Sequence, residues 1–222
     1  MLTGISNILF DLDGTLTDPR EGITRCIQYA LGQLNRDIPP WEQLIWCIGP
    51  PLKASFAQLL NTTDQTILEH ALVHYRKRFS EKGLFENILY PGVVSVLGDL
   101  QRAGFNPFLA TSKPRVFATQ ILQHFKISPF FQTAYGSELD GRLSDKGELI
   151  AHIIDREGLD TAVTVMVGDR VFDIEGGKKN KLVTAAVAYG YGTREEIAAA
   201  KPDVVFETIA ELSKTMLSLR TT

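Results

Sequence analysis

Asp11 and Asp13 stand two residues apart directly after a short apolar run, in the stretch Asp11-Leu12-Asp13-Gly14-Thr15. In extended backbone, side chains two apart point to the same side, on the order of 7 Å from one another. Such a pair has two complementary uses: one carboxylate can attack phosphorus while the other donates a proton to the departing oxygen. Gly14 lets the backbone approach an anion closely. Taken alone, the same pattern also describes a turn with side-chain caps.

Three further stretches supply what such a site needs. Thr111-Ser112-Lys113-Pro114 follows another apolar run and offers a hydroxyl and consecutive N–H groups at an expected helix start, where donors and the helix dipole hold a phosphoryl group. An ordinary N-cap is the competing reading. Ser144-Asp145-Lys146 opens another helix with a cation set against the dipole, which suits a site dense in carboxylate and phosphate charge, although a lone lysine there also reads as a solvated surface residue. Gly168-Asp169-Arg170-Val171-Phe172-Asp173 places two acids on a turn after an apolar strand. Oxygen ligands of this kind suit Mg²⁺, which takes one or two carboxylates plus substrate phosphate. Helix capping by Asp169 is the alternative; an EF-hand is excluded, because its alternating acids and terminal glutamate are missing. Together, each at the end of its own expected strand, these stretches describe nucleophile, acid, hydroxyl, cation and metal ligands of one site.

The elements that must position them follow from apolar periodicity. Short apolar runs occur at 5–10, 105–110, 164–167, 183–187 and 204–206, with a weaker one at 133–135, and helical patterns lie between them. Alternation of this kind predicts a doubly wound, Rossmann-like α/β core: a parallel sheet with helices on both faces and ligand sites beyond the C-terminal strand ends. Thr193-x-x-Glu196 and Thr208-x-x-Glu211 read as capping boxes, and Gly104 and Gly158 as helix stops. The interval 18–87 breaks the rhythm, with helical patterns at 21–34, 50–60 and 64–82, the last capped through Thr62-x-x-Gln65. A structureless connection of that length does not fit a compact domain. The sequence therefore predicts a small all-helical cap domain over 18–87, inserted into a catalytic core of 1–17 and 88–222, with turns at Asp37-Ile-Pro-Pro40 and Gly49-Pro-Pro51 inside the insertion.

At this point the chain resembles the haloacid dehalogenase superfamily of aspartate-nucleophile phosphatases, through Asp11-Leu-Asp13-Gly-Thr15, Thr111-Ser-Lys-Pro114, Lys146 and Gly168-Asp169-x-x-x-Asp173. Ile48-Gly-Pro-Pro-Leu52, the stretch 135–141 and Ala188-Tyr-Gly-Tyr-Gly-Thr-Arg-Glu-Glu196 resemble its phosphoglycolate phosphatase and 5′-nucleotidase-like branch. The resemblance implies that Asp11 forms an aspartyl-phosphate, that Asp13 acts as acid and then base, that Thr111 and the Ser112 amide bind phosphoryl oxygens, and that Lys146 balances charge. It also implies Mg²⁺ held by Asp11, the Asp13 carbonyl, Asp169 and Asp173. After the fourth motif, Gly176-Gly-Lys-Lys-Asn-Lys181 replaces the family's Gly-Ala…Asn-Gly pattern. The expected substrate is a small phosphorylated metabolite. A phosphomutase, a receiver-type phospho-acceptor and a silent binding module are the rival readings.

Composition bounds the rest. Across 222 residues, 44% apolar and 22% charged content belongs to an ordinary globular protein, and the net charge of −3 comes without a basic block that would track nucleic acid. No apolar run reaches the roughly 18 residues that span a bilayer, and the start lacks the pattern of a signal peptide, so the expectation is a cytoplasmic monomer or homodimer. Cys26 and Cys47 lack zinc or redox spacing. His70 and His74 share a helix face without a third ligand. Trp41 and Trp46 are expected to anchor packing; Arg20, Lys53 and Lys113 are the expected specificity contacts.

Overall fold

The structure is a computed structural model that describes residues 2–219. The chain divides into two compact units, Met1–Asp18 with Leu89–Thr222, and Pro19–Ile88.

Apart from two short strands, β2 (Thr17–Asp18) and β3 (Ile88–Leu89), the sheet of the larger unit consists of β1 (Asn7–Phe10), β4 (Asn106–Pro114), β5 (Ala134–Ser137), β6 (Thr164–Gly168), β7 (Val183–Val187) and β8 (Val204–Phe206), with α4 (Val93–Arg102), α5 (Arg115–His124) and α8 (Arg194–Ala200) among the helices between them. The six strands lie in the order β5-β4-β1-β6-β7-β8, all pairings parallel. The chain winds outward from β1 in one direction through β4 and β5, then in the other through β6, β7 and β8. The strand order therefore reverses at β1, and the crevice beyond its C-terminal end is where doubly wound sheets bind ligands. Alternate residues serve opposite faces. Leu9, Phe108, Ala110 and Met166 pack with Leu149, Ile150 and Ile153 of α6 (Lys146–Glu157). Ile8, Val165, Val167 and Ala185 meet Leu212 and Met216 of α9 (Ile209–Ser218). Both faces are covered, which is why the strands read as continuous apolar runs.

β4 is longer than its apolar run. Extended backbone continues through Thr111-Ser112-Lys113, and α5 begins only at Arg115. Pro114 explains this, since it disfavours helical backbone at the residue before it and itself sits outside the helix. The expected helix start at Thr111-Ser112 is thus corrected to a strand end. The two capping boxes are half formed: Thr193 and Thr208 accept from the amides of Glu196 and Glu211, while Glu196 turns to Val171 and Glu211 to the Glu207 amide.

The smaller unit is helical: α1 (Arg20–Gln33), a 3-10 segment (Trp41–Cys47), α2 (Leu52–Leu59), α3 (Gln65–Arg78) and a π turn (Phe79–Gly83). Its core contains Ile27, Leu31, Leu44, Phe56, Leu72 and Phe79, with Tyr75 edge-on to Phe56 and stacked on Phe79. α3 is capped by Asp64, whose carboxylate accepts from Thr66 and Ile67, and not by Thr62, whose hydroxyl accepts from Asp64. Trp41 and Trp46 are 42% and 37% exposed, so they do not anchor the packing as their residue type suggests. Arg78 makes two hydrogen bonds to Glu86 and one to the Cys26 sulfur, tying the end of the unit to α1. No helix among the described residues is long and apolar enough to cross a membrane.

α7 (Val171–Lys179) lies unusually close to the sheet at Gly177, where a Cβ would stand 2.7 Å from Thr184 Cγ2 and 3.2 Å from Met166 Cβ. Thr184 is fully buried and bonded to Asp203, so it cannot yield. Gly177→Ala is expected to lower stability by about 1–3 kcal/mol through overpacking, despite the better helix propensity of alanine. Gly98→Ala meets the exposed end of the Arg102 side chain at 3.3 Å and Phe130 Cε1 at an ordinary 3.7 Å, and is expected to be neutral or to gain up to about 1 kcal/mol. Urea unfolding of both variants checks the contrast; equal losses would contradict it.

Candidate active site

The ends of β1 and β4 and the segment after β6 meet around one buried lysine. Lys146 is the first residue of α6, whose N-cap Asp145 accepts from the Glu148 amide. Its ammonium lies 2.8 Å from Asp11 Oδ1, 2.8 Å from Asp173 Oδ1 and 2.8 Å from the Ala110 carbonyl oxygen. Burial opposes the charge on Lys146, but Asp11 and Asp173 outweigh it and hold the ammonium more basic than usual. The lysine that looked like a surface residue in isolation is 5% exposed. Its reach depends on close helix packing: a Cβ at Gly176 would stand 3.0 Å from Lys146 Cγ, and Asn180 donates to both the Gly147 and Gly176 carbonyls. The Gly176-to-Lys181 departure from the family pattern thus carries its own packing logic.

Asp11 follows β1, with its amide donating to the Val167 carbonyl of β6. The loop after it curls back through Leu16 and Thr17 amides on the Leu12 carbonyl, and through the Gly14 amide on Thr17. Gly14 has φ +87°, and a Cβ there would stand 2.2 Å from Asp169 Oδ2. Only glycine allows this contact. Asp169 is gripped at both oxygens, by the Thr15 hydroxyl at 3.3 Å and the Tyr191 amide at 2.7 Å. Asp173 accepts from the Arg170 amide, so it is Asp173, and not Asp169, that caps α7.

Carboxylate oxygens of Asp11, Asp169 and Asp173 all lie within 4.8 Å of one another, and all three residues are buried. Burial raises the Asp169 carboxyl well above the usual range, with Asp173 and Asp11 adding to it. Burial pushes Asp173 up to about 6 even though Lys146 opposes it. Three crowded acids with one shared ammonium leave excess negative charge. Hard oxygen donors with that surplus fit a divalent cation. Asp13 completes the cluster. Its Oδ2 is 2.5 Å from Lys113 Nζ, and its Oδ1 is buried without a hydrogen-bond partner. Burial raises its carboxyl against the pull of Lys113.

The structure therefore gathers Asp11, Asp13, Gly14, Lys146, Asp169 and Asp173. Thr111, 2% exposed, sits on the strand next to β1, its hydroxyl accepting from the Lys113 amide, and the Ser112 carbonyl accepts from Ser137. Lys113, expected as a specificity contact, pairs with Asp13. Arg20 and Lys53 belong to the helical unit, where Arg20 lies over the Trp41 ring at 5.4 Å and Lys53 pairs with Glu69 at 2.6 Å. Sequence reasoning missed the grip on Asp169 by Thr15 and Tyr191. Thr15 stands within the first motif and was available; a backbone amide leaves no trace in residue type.

Comparison with known proteins agrees with this geometry. Residues 8–187 match the family described as haloacid dehalogenase-like hydrolase. A 5′-nucleotidase of Pseudomonas aeruginosa is 44% identical over 96% of both chains. The tyrosine-protein kinase PtkA of Mycobacterium tuberculosis is 33% identical over 94% of this chain and 72% of its own. Further relatives named phosphoglycolate phosphatase are 26–27% identical. The crystal structure of a predicted phosphatase from Clostridium acetobutylicum superposes with a TM-score of 0.92, at 39% identity, covering 96% of this chain and 99% of that one.

The raised acids give a signed pH dependence for the metal-free protein. Between about pH 4 and 6 the native state holds a proton on Asp173 that the unfolded chain, with its carboxyl near 3.8, has released. Stability from this group is present at low pH and is lost as pH rises through about 6, by up to about 3 kcal/mol. Thermal unfolding in chelator should show the loss in wild type and a smaller one in Asp173→Asn. Identical profiles would remove Asp173 as its source.

Proposed function

Because the chain belongs to the haloacid dehalogenase-like hydrolase family, we propose that it is a Mg²⁺-dependent phosphatase that removes the phosphoryl group of a nucleoside monophosphate through an aspartyl-phosphate on Asp11. The observation that carries this reading is the buried Asp11–Lys146–Asp173 arrangement beside Asp169, with Asp13 two residues from Asp11.

The residues divide the work. The Asp11 oxygen not held by Lys146 attacks phosphorus as the ester P–O bond breaks. The leaving oxygen takes its proton from Asp13, which burial keeps more basic than an ordinary carboxyl. A water then attacks the phosphorus of the aspartyl-phosphate, giving its proton to Asp13, and Asp11 and inorganic phosphate separate. Thr111 and the Ser112 amide bind phosphoryl oxygens, and Lys146 offsets the charge that accumulates on them. Asp11, the Asp13 carbonyl, Asp169 and Asp173 would hold Mg²⁺, which supplies charge neutralisation to the transferring phosphoryl group. Since phosphate-ester hydrolysis is intrinsically very slow, positioning and charge supply most of the acceleration.

The 5′-nucleotidase relative, matched over nearly all of both chains, favours a nucleotide over phosphoglycolate. The helical unit, read as a cap, would carry the choice of substrate. The kinase name of another relative keeps a second reading in view, transfer of the phosphoryl group to a hydroxyl other than that of water. The working location we assign is the cytoplasm.

Purified protein with millimolar Mg²⁺ is expected to release phosphate from nucleoside monophosphates faster than from phosphoglycolate, and to stop on chelation. Asp11→Asn should reduce release by about a thousandfold or more while the circular dichroism spectrum is retained. Undiminished turnover in that variant would sink the covalent mechanism. Phosphate release that requires an added acceptor alcohol would favour the transfer reading.

A further inference from the structure

The segment Tyr189-Gly190-Tyr191-Gly192 leaves the C-terminal end of β7 and runs against the cluster of acids without contributing an acid to it. Its glycines are forced by contact. A Cβ at Gly190 would stand 2.3 Å from Asp169 Cβ, and one at Gly192 would stand 2.0 Å from the Asp169 carbonyl oxygen. The backbone is thus threaded along Asp169 on both sides of Tyr191, which brings the Tyr191 amide to 2.7 Å from Asp169 Oδ2.

The two tyrosine side chains reach the other way, to the stretch that follows the nucleophile. Tyr189 donates its hydroxyl proton to the Thr15 carbonyl at 2.8 Å, and Tyr191 donates to Asp18 Oδ1. The Tyr189 ring also meets Tyr90 edge-on at 4.9 Å, and the Tyr90 amide donates to the Leu16 carbonyl. Residues 15–18 are therefore held from several directions, while the same short segment fixes one oxygen of Asp169. Thr15 closes the loop by donating to the other oxygen.

We propose that Tyr191 is a positioning residue for the metal site: its hydroxyl, anchored on Asp18, holds its own amide against Asp169, so that Asp169 is set for a divalent cation before the cation arrives. The inference rests on the reading of Asp11, Asp169 and Asp173 as the cation site. Groups around metal-ligating side chains commonly alter affinity by about 10–100-fold when removed. The Tyr191 hydroxyl acts one link further out, through its own backbone, and a smaller effect of about 3–10-fold is expected.

The test is a double-mutant cycle on Mg²⁺ affinity, read by calorimetric titration and by the Mg²⁺-dependent rise in unfolding temperature of the full chain. Tyr191→Phe and Asp18→Ala should each weaken Mg²⁺ binding by about 3–10-fold, and the double variant should be no weaker than the worse single variant. Additive losses would show that hydroxyl and carboxylate act separately, which overturns the proposal. Unchanged affinity in Tyr191→Phe also overturns it, as does a lower unfolding temperature without Mg²⁺ and no change in affinity, which would make the contact merely structural. If wild type itself neither binds Mg²⁺ nor is stabilised by it, the cation-site reading has failed, and the proposal fails with it for that separate and visible reason.

Discussion

Bringing Asp11, Asp13, Asp169 and Asp173 into one buried edge is electrostatically costly, and most of the catalytic unit can be understood as the means of tolerating it. Moving a charged group out of water costs several kcal/mol, and breaking a buried pair by removing one partner typically costs about 3–5 kcal/mol. Lys146 meets two of the four acids and a backbone carbonyl at once. It can do so only because α6 and α7 approach closely at Gly176 and are cross-linked by Asn180. Lys113 meets a third acid from the end of β4, where Pro114 keeps the backbone extended long enough to deliver it. Asp169 meets no lysine; hydrogen bonds from Thr15 and Tyr191 hold it instead. The residual negative charge is what a cation would neutralise.

Much of this was legible in residue order, and the reason is topological. In a parallel sheet every strand ends on the same edge, so a polar residue just after an apolar run is placed by the run itself. That is why Asp11, Asp169 and Asp173 could be assigned to one place from sequence. β7 and β8 coincide with their apolar runs at 183–187 and 204–206 because turn residues bound both. β4 was misjudged because its last residues are polar and are extended for a local reason, the proline that follows. The cap of α3 was misplaced because several adjacent polar residues, Thr62, Thr63 and Asp64, can all cap, and only backbone geometry selects one. The tryptophans of the helical unit mislead in another way: residue type records affinity for burial, but only packing decides which apolar side chains obtain it.

The helical unit is stabilised by different means. Its two cysteines are buried, and burial pushes the Cys47 thiol up to about 12, which leaves it an inert packing group at neutral pH. Arg78, Glu86 and Arg25 close the unit near its exit point, and Gly22 allows its amide to reach the Glu86 carbonyl at 2.9 Å. This unit is one continuous segment, Pro19–Ile88, so even its longest ties stay within that segment.

The contrast bears on the order in which the molecule can assemble. β1 lies at the centre of the sheet, and Asn7 at its start bonds to Asn106 and Thr164, partners 99 and 157 residues away. Loop closure of that span must precede any reward from pairing, whereas the helices of the inserted unit collapse on contacts within one continuous segment. During synthesis, an apolar strand therefore emerges, waits unpaired while a helical unit forms behind it, and finds its second neighbour only after β6 has appeared. Asp11 and Asp173 become neighbours later still. Asp11 is made long before Asp173 and is set in place only once both are present.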